Sequence, residues 1–202
     1  MKTLVLLLAL YFPATALANP NAVCAVRLGS TLTEPGGTGT GFFIAKNTII
    51  TAYHVVAKHI TEGRAIRIEY KDKLYTARCT KHARHSDLAL LTAEVNNTIS
   101  LAVAGKHPSL EGAVEAFGFP NGVWAVHSSK GILRQVQNAK TKGETKSYEM
   151  YQSYITVIPG MSGGPLIYKG QVVGVVSGMG TKGDSHHGYF SAYTAINDLL
   201  TQ

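Results

Sequence analysis

The sequence predicts an all-β fold of two six-stranded antiparallel β-barrels with one short C-terminal helix. Three observations carry this expectation. Glycine accounts for 21 of 202 residues and falls mostly between short apolar runs, a pattern that favours strands and tight turns over long helices. The apolar runs have strand length. A polar, turn-rich connector from Asn96 to Pro108 splits them into two clusters of six, and two closed antiparallel barrels would leave no exposed sheet edge.

The first cluster comprises Val23–Leu28, Thr40–Ala45, Thr48–Ala52, Ala65–Tyr70, Leu74–Thr80 and Leu88–Thr92, within a first barrel over residues 19–100. The second comprises Ala113–Gly118, Val123–Arg134, Tyr148–Ile155, Pro165–Tyr168, Gln171–Ser177 and Gly188–Tyr193, within a second barrel over residues 113–202. From Thr194 to Leu200 the apolar residues Ala195, Ile196, Leu199 and Leu200 take helical spacing.

Residues 1–18 differ in kind. Lys2, an apolar run from Leu4 to Phe12, Pro13 and then Ala16-Leu17-Ala18 make a secretory leader with cleavage expected after Ala18. The run is too short to span a bilayer comfortably, so no stable membrane anchor is expected, and the protein is expected to be secreted or periplasmic. Two cysteines in an exported chain, Cys24 and Cys79, favour one disulfide between the N-terminal strand and a later strand, the alternative being two buried thiols. The formal charge of +7 is spread along the chain without a dense basic run or interleaved aromatics, so no nucleic-acid partner is expected.

One constellation carries chemistry. Gly160-Met161-Ser162-Gly163-Gly164-Pro165 places a serine among glycines just before the strand Leu166-Ile167-Tyr168. A serine hydroxyl needs a base to take its proton and donors aimed at the oxyanion that its attack creates. Flanking glycines let the backbone curl so that amide groups converge on one concavity. His54, in Thr51-Ala52-Tyr53-His54-Val55, lies at the exit of a strand and is the candidate base. Only four aspartates exist, and Asp87 opens the almost wholly apolar run Leu88-Ala89-Leu90-Leu91, where a carboxylate would need a partner such as an imidazole N–H. Asp72 sits at a Lys71-Asp72-Lys73 turn and Asp198 in the terminal helix.

Together with Gly39-Thr40-Gly41-Phe42-Phe43-Ile44, these motifs resemble the chymotrypsin-like (trypsin-like) serine peptidases. The intervals, 33 residues from His54 to Asp87 and 75 from Asp87 to Ser162, resemble compact HtrA-type domains, as does Phe117-Gly118-Phe119-Pro120. The order His, Asp, Ser separates this class from subtilisin-like and α/β-hydrolase chains. The resemblance implies an exported serine endopeptidase acting on protein or peptide substrates without a cofactor. In it Ser162 is the nucleophile, His54 the base and Asp87 the group that orients the imidazole. It further implies an oxyanion hole from the amides of Gly160 and Ser162, substrate pairing along Ser177-Gly178-Met179, and Thr156 near the base of the specificity pocket. A catalytically silent homologue acting as a binding module is the alternative, and the three intact residues argue against it.

Departures from the family are informative. Tyr53 replaces a small residue before the histidine. Met161 stands where zymogen-type relatives have an aspartate that pairs with a newly freed N-terminus, so activity is expected without a further N-terminal cut. Only two residues follow Leu200, so no PDZ module is expected after it. His82-x-x-His85 and His186-His187 lack a third ligand at metal spacing and read as solvated or loop residues.

Overall fold

The computed structural model describes residues 19–28, 38–97, 99–121, 125–182 and 185–202; the expected leader lies outside them. It contains two closed six-stranded antiparallel barrels, as the sequence predicts. The first is built from β1 (Val23–Arg27), β2 (Thr38–Ala45), β3 (Thr48–Ala52), β4 (Ile66–Tyr70), β5 (Lys73–Ala83) and β6 (Leu88–Ala93), joined in the order β1-β2-β3-β6-β5-β4. The second contains β7 (Ala113–Gly118), β8 (His127–Ala139), β9 (Tyr148–Tyr154), β10 (Pro165–Tyr168), β11 (Gln171–Lys182) and β12 (Ser185–Ala192), in the order β10-β11-β12-β9-β8-β7. The expected strand from Val123 starts instead at His127, and residues 122–124 lie outside the described set.

The continuous apolar runs reflect burial on two sides. Successive strand residues point to opposite faces. Phe43, Ile49 and Leu91 fill the first barrel, while their neighbours Phe42, Ile50 and Leu90 face the seam between barrels. Leu166, Val173 and Val176 fill the second barrel, while Ile167, Val172 and Val175 meet the seam. The C-terminal helix α2 (Tyr193–Thr201) lays Ala195, Ile196 and Leu199 onto that seam.

One element escapes the strand pattern. Helix α1 (Tyr53–Thr61) begins directly after β3 and buries Val55, Val56 and His59. Its N-cap residue, Ala52, makes no side-chain cap, so the usual start signal is missing from the sequence. The missing acceptors come from Asp87: Tyr53 N donates to its carbonyl at 3.0 Å and His54 N to its Oδ1 at 2.9 Å. His54 therefore sits in the first turn of a helix rather than in a turn. No helix among the described residues is long and apolar enough to cross a membrane.

The expected disulfide is absent; Cys24 and Cys79 are free thiols. Register explains why. Cys24 lies on β1, next to Ala25, which faces Glu69 of β4; Cys79 lies on β5 opposite Leu91 of β6. Strand β4 separates β1 from β5, and Tyr70 faces Lys73, six positions before Cys79. The two sulfurs occupy different rows of non-adjacent strands. Burial pushes the Cys24 thiol strongly up, and the Cys79 Sγ–H donates to the Lys81 carbonyl at 3.3 Å. Thiol titration of denatured, unreduced protein should find both cysteines, and reductant should leave the melting temperature unchanged. A melting point that falls on reduction, as loss of about 2–5 kcal/mol would cause, contradicts the free thiols.

Candidate active site

The three candidate residues come from both barrels. Asp87 follows a 3-10 turn (Arg84–Ser86) and adopts a left-handed conformation with φ 57°, which aspartate tolerates better than most side chains. The turn is fastened to the second barrel: Ser191 Oγ donates to the Ser86 carbonyl at 2.6 Å and Thr141 Oγ1 to that of His85 at 2.8 Å. Asp87 is 8% exposed.

His54 Nδ1 lies 2.8 Å from Asp87 Oδ2, and Ser177 Oγ donates to the same oxygen at 2.5 Å. Nε2 is left for the cleft, and the side chain is 47% exposed. Burial lowers the affinity of the imidazole for its proton, but the hydrogen bond and the charge of Asp87 outweigh it, and the His54 pKa is raised above its ordinary 6.5. Tyr53, the departure next to it, packs its ring on His82 at 5.0 Å. That contact accounts for His82. Among the described residues no group of three or more His, Cys, Asp or Glu side chains is arranged to hold a metal ion.

Ser162 sits in a turn only glycines permit. Gly160 and Gly163 have φ 97° and 87°. A Cβ at residue 160 would overlap the Phe119 carbonyl, and one at residue 163 would meet the Thr40 carbonyl and the Thr51 hydroxyl. The turn is held from the first barrel by Thr40 N, which donates to the Ser162 carbonyl at 2.8 Å, and from β11 by the 2.8 Å bond of Gly163 N to the Val176 carbonyl. Residue 163 thus lies against Ala52, two positions before His54. The Ser162 hydroxyl makes no hydrogen bond to His54 or any other described residue, and the Gly160 and Ser162 N–H groups likewise have no acceptor among the described residues.

The other candidates are placed as follows. Val176 still bonds to Gly163 and Gly164, but beyond it β11 pairs only with β12, so Ser177, Gly178 and Met179 present one free edge; Met179 is 57% exposed. Thr156 is exposed, whereas buried Val157 approaches Gly188, whose Cβ would lie 2.8 Å from Val157 Cγ2. Met161 is fully buried against Gly118, in packing that an aspartate there would disrupt.

Residues 39–175 match the trypsin-like peptidase domain family. The chain belongs to that family. Among curated relatives it is 31% identical to the mitochondrial protease Do-like 4 of Arabidopsis thaliana over 81% of its own length, and 28% identical to a serine protease DegP homologue of Plasmodium falciparum over 68%. It spans 32% of the first relative and 16% of the second. Among solved structures, the active form of the Rv3671c protease of M. tuberculosis superposes with a TM-score of 0.77 at 24% identity, over 90% of this chain and 80% of that one. Deg5 superposes with 0.72 at 20% identity, over 89% and 87%. These matches make the chain a chymotrypsin-like peptidase domain, similar to the Do-like and HtrA-type proteases.

Because Asp87 favours the charged imidazole, the pair stabilises the fold fully below pH 6.5, and that contribution fades as pH rises through the raised His54 value. Proton NMR should show His54 titrating above 6.5, with Asp87→Asn bringing the midpoint down. A native midpoint at or below 6.5 would contradict the geometry.

Proposed function

We propose that this peptidase domain is a serine endopeptidase that cleaves extended segments of protein substrates through an acyl-enzyme on Ser162. The observation that carries this is the His54–Asp87 pair, held at 2.8 Å beside the glycine turn of Ser162, in a chain of the trypsin-like peptidase family. His54 Nε2 accepts the Ser162 proton as the hydroxyl attacks the scissile carbonyl, then delivers it to the leaving amine; in deacylation water attacks the acyl carbonyl, gives its proton to Nε2, and Nε2 returns it to Ser162 Oγ as the ester bond breaks. Asp87 keeps the proton of the neutral imidazole on Nδ1, leaving Nε2 as the acceptor, and balances the imidazolium in the transition state. The open Ser162–His54 contact closes once substrate excludes water, as catalytic hydrogen bonds commonly tighten in the Michaelis complex.

The unengaged Gly160 and Ser162 amides receive the oxyanion. The free edge at Ser177-Gly178-Met179 pairs with substrate backbone, which selects extended chain before side chain. Buried Met161 supports activity without a newly cut N-terminus. The leader-like residues 1–18 support export with cleavage after Ala18, which N-terminal sequencing of protein recovered outside the cytoplasm would test.

A fluorophosphonate probe should label the native protein on Ser162, and Ser162→Ala should abolish labelling and lower turnover of fluorescent casein by about 10^4-fold or more with an unchanged melting temperature. Asp87→Asn should cost on the order of 10^4-fold in kcat through the wrong tautomer. A folded wild-type protein that resists the probe would instead be a silent homologue that binds without cutting.

A further inference from the structure

Strand β2 turns Thr38, Thr40 and Phe42 to one face, toward the second barrel, since alternate strand residues share a side. At Phe42 the seam is apolar. At Thr40 it is polar, and Thr40 is completely buried. A hydroxyl in such a place must find its partners inside the protein. Thr40 Oγ1 donates to the Gly160 carbonyl at 2.8 Å and accepts from Phe119 N at 2.9 Å. Its N–H donates to the Ser162 carbonyl at 2.8 Å, and its carbonyl accepts from Thr51 Oγ1 at 2.7 Å. Three of these four bonds cross between barrels, and two of them end on residues 160 and 162.

The bond to Gly160 has a directional consequence. The N–H and C=O of a trans peptide point opposite ways. Asn121 N donates to the Pro159 carbonyl at 2.9 Å, which turns the Gly160 N–H away from Asn121. Thr40 Oγ1 anchors the next peptide, Gly160–Met161, through the Gly160 carbonyl, and Met161 N donates to Ile158 at 3.1 Å. Two anchored peptide planes determine φ and ψ of the residue between them, and here they hold Gly160 at φ 97°. The Asn121 anchor is itself braced from β2, because the Thr38 hydroxyl bonds to the Asn121 side chain.

We propose that Thr40 is a positioning residue: its buried hydroxyl, supplied by the first barrel, fixes the Gly160–Met161 peptide of the second and so aims the Gly160 N–H at the oxyanion. This rests on the reading of Gly160 and Ser162 as the oxyanion donors. It also gives the Phe119-Pro120-Asn121 segment a role, as the wall that shares the same hydroxyl.

Steady-state hydrolysis of the p-nitrophenyl ester of N-acetylalanine tests it. Thr40→Val keeps the branched shape and removes the hydroxyl; it should lower kcat by about 10- to 100-fold with KM within about threefold, because the loss falls on the transition state. Thr40→Ser restores the hydroxyl and should stay within about threefold of wild type, and Thr40→Ala should fall with Thr40→Val. Near-normal kcat in Thr40→Val, an equal loss in Thr40→Ser, or a rise in KM alone would overturn the proposal. If Thr40→Val and Thr40→Ala both fail to fold by circular dichroism while Thr40→Ser folds, the hydroxyl holds the barrels together rather than the oxyanion donor, which also overturns it. A wild-type protein that neither turns over the ester nor takes the fluorophosphonate sinks the endopeptidase reading itself, whereas an active wild type with an unaffected Thr40→Val sinks only this inference.

Discussion

A carboxylate buried between two barrels is the constraint around which the molecule is organised. Asp87 has little contact with water, and a charge in such a place is tolerated only when its oxygens are fully engaged. The donors come from separate elements: the backbone and imidazole of His54 at the start of α1, and the hydroxyl of Ser177 on β11. Loss of one partner from a buried charge typically costs about 3–5 kcal/mol, so each donor is also a fastening. The same side chain therefore caps a helix, orients an imidazole and ties down the strand with the free edge. Its left-handed backbone allows all three, by turning the carboxylate back toward the helix start while its own carbonyl meets Tyr53 N.

The seam imposes a second condition on the residues around Ser162. Strands that are apolar on both faces leave no room for side chains where their loops converge, and the turn answers with glycine at 160, 163 and 164. A Cβ at Gly164 would collide with the Phe117 carbonyl, as one at Gly163 would with Thr40. The turn is thus shaped by what it packs against, and its amide groups point where they do because both barrels grip it. The meeting of the Ser162 turn with His54 and Asp87 belongs to the interface, so neither half would present it alone.

Strand-forming regions were legible because apolar runs between turn residues report burial directly, and twelve of them were found near their observed bounds. Strand ends were less legible: β11 runs five residues past Ser177, to Lys182, where pairing with β12 alone sustains it. Helix α1 was missed for a physical reason, since its cap lies 33 residues away on Asp87 and leaves no local signal beside Ala52. The cysteines misled because their number carries no register. The candidate triad was visible as residue types in order, yet the part played by Ser177 beneath Asp87, and that of Thr40 at the turn, depend on contacts across the seam. The clue was a threonine between two glycines, next on its face to the apolar Phe42.

Activity and stability pull on His54 in opposite directions. Asp87 binds the charged imidazole best, so the pair contributes most to the fold at acid pH. A general base must instead be neutral, so the proposed reaction runs on the alkaline side of the raised His54 pKa, where that contribution has faded. The pair itself joins two elements of the first barrel, α1 and the turn before β6, so cohesion between barrels rests on groups that do not titrate there. The structure supplies them as hydroxyl-to-carbonyl bonds, Ser191 to Ser86 and Thr40 to Gly160, alongside the apolar seam under α2. Neutral donors suit that duty because their strength does not change when the imidazole gains or loses its proton during each turnover. A seam built on ion pairs to the titrating imidazole would loosen and tighten with the chemistry it is meant to hold still.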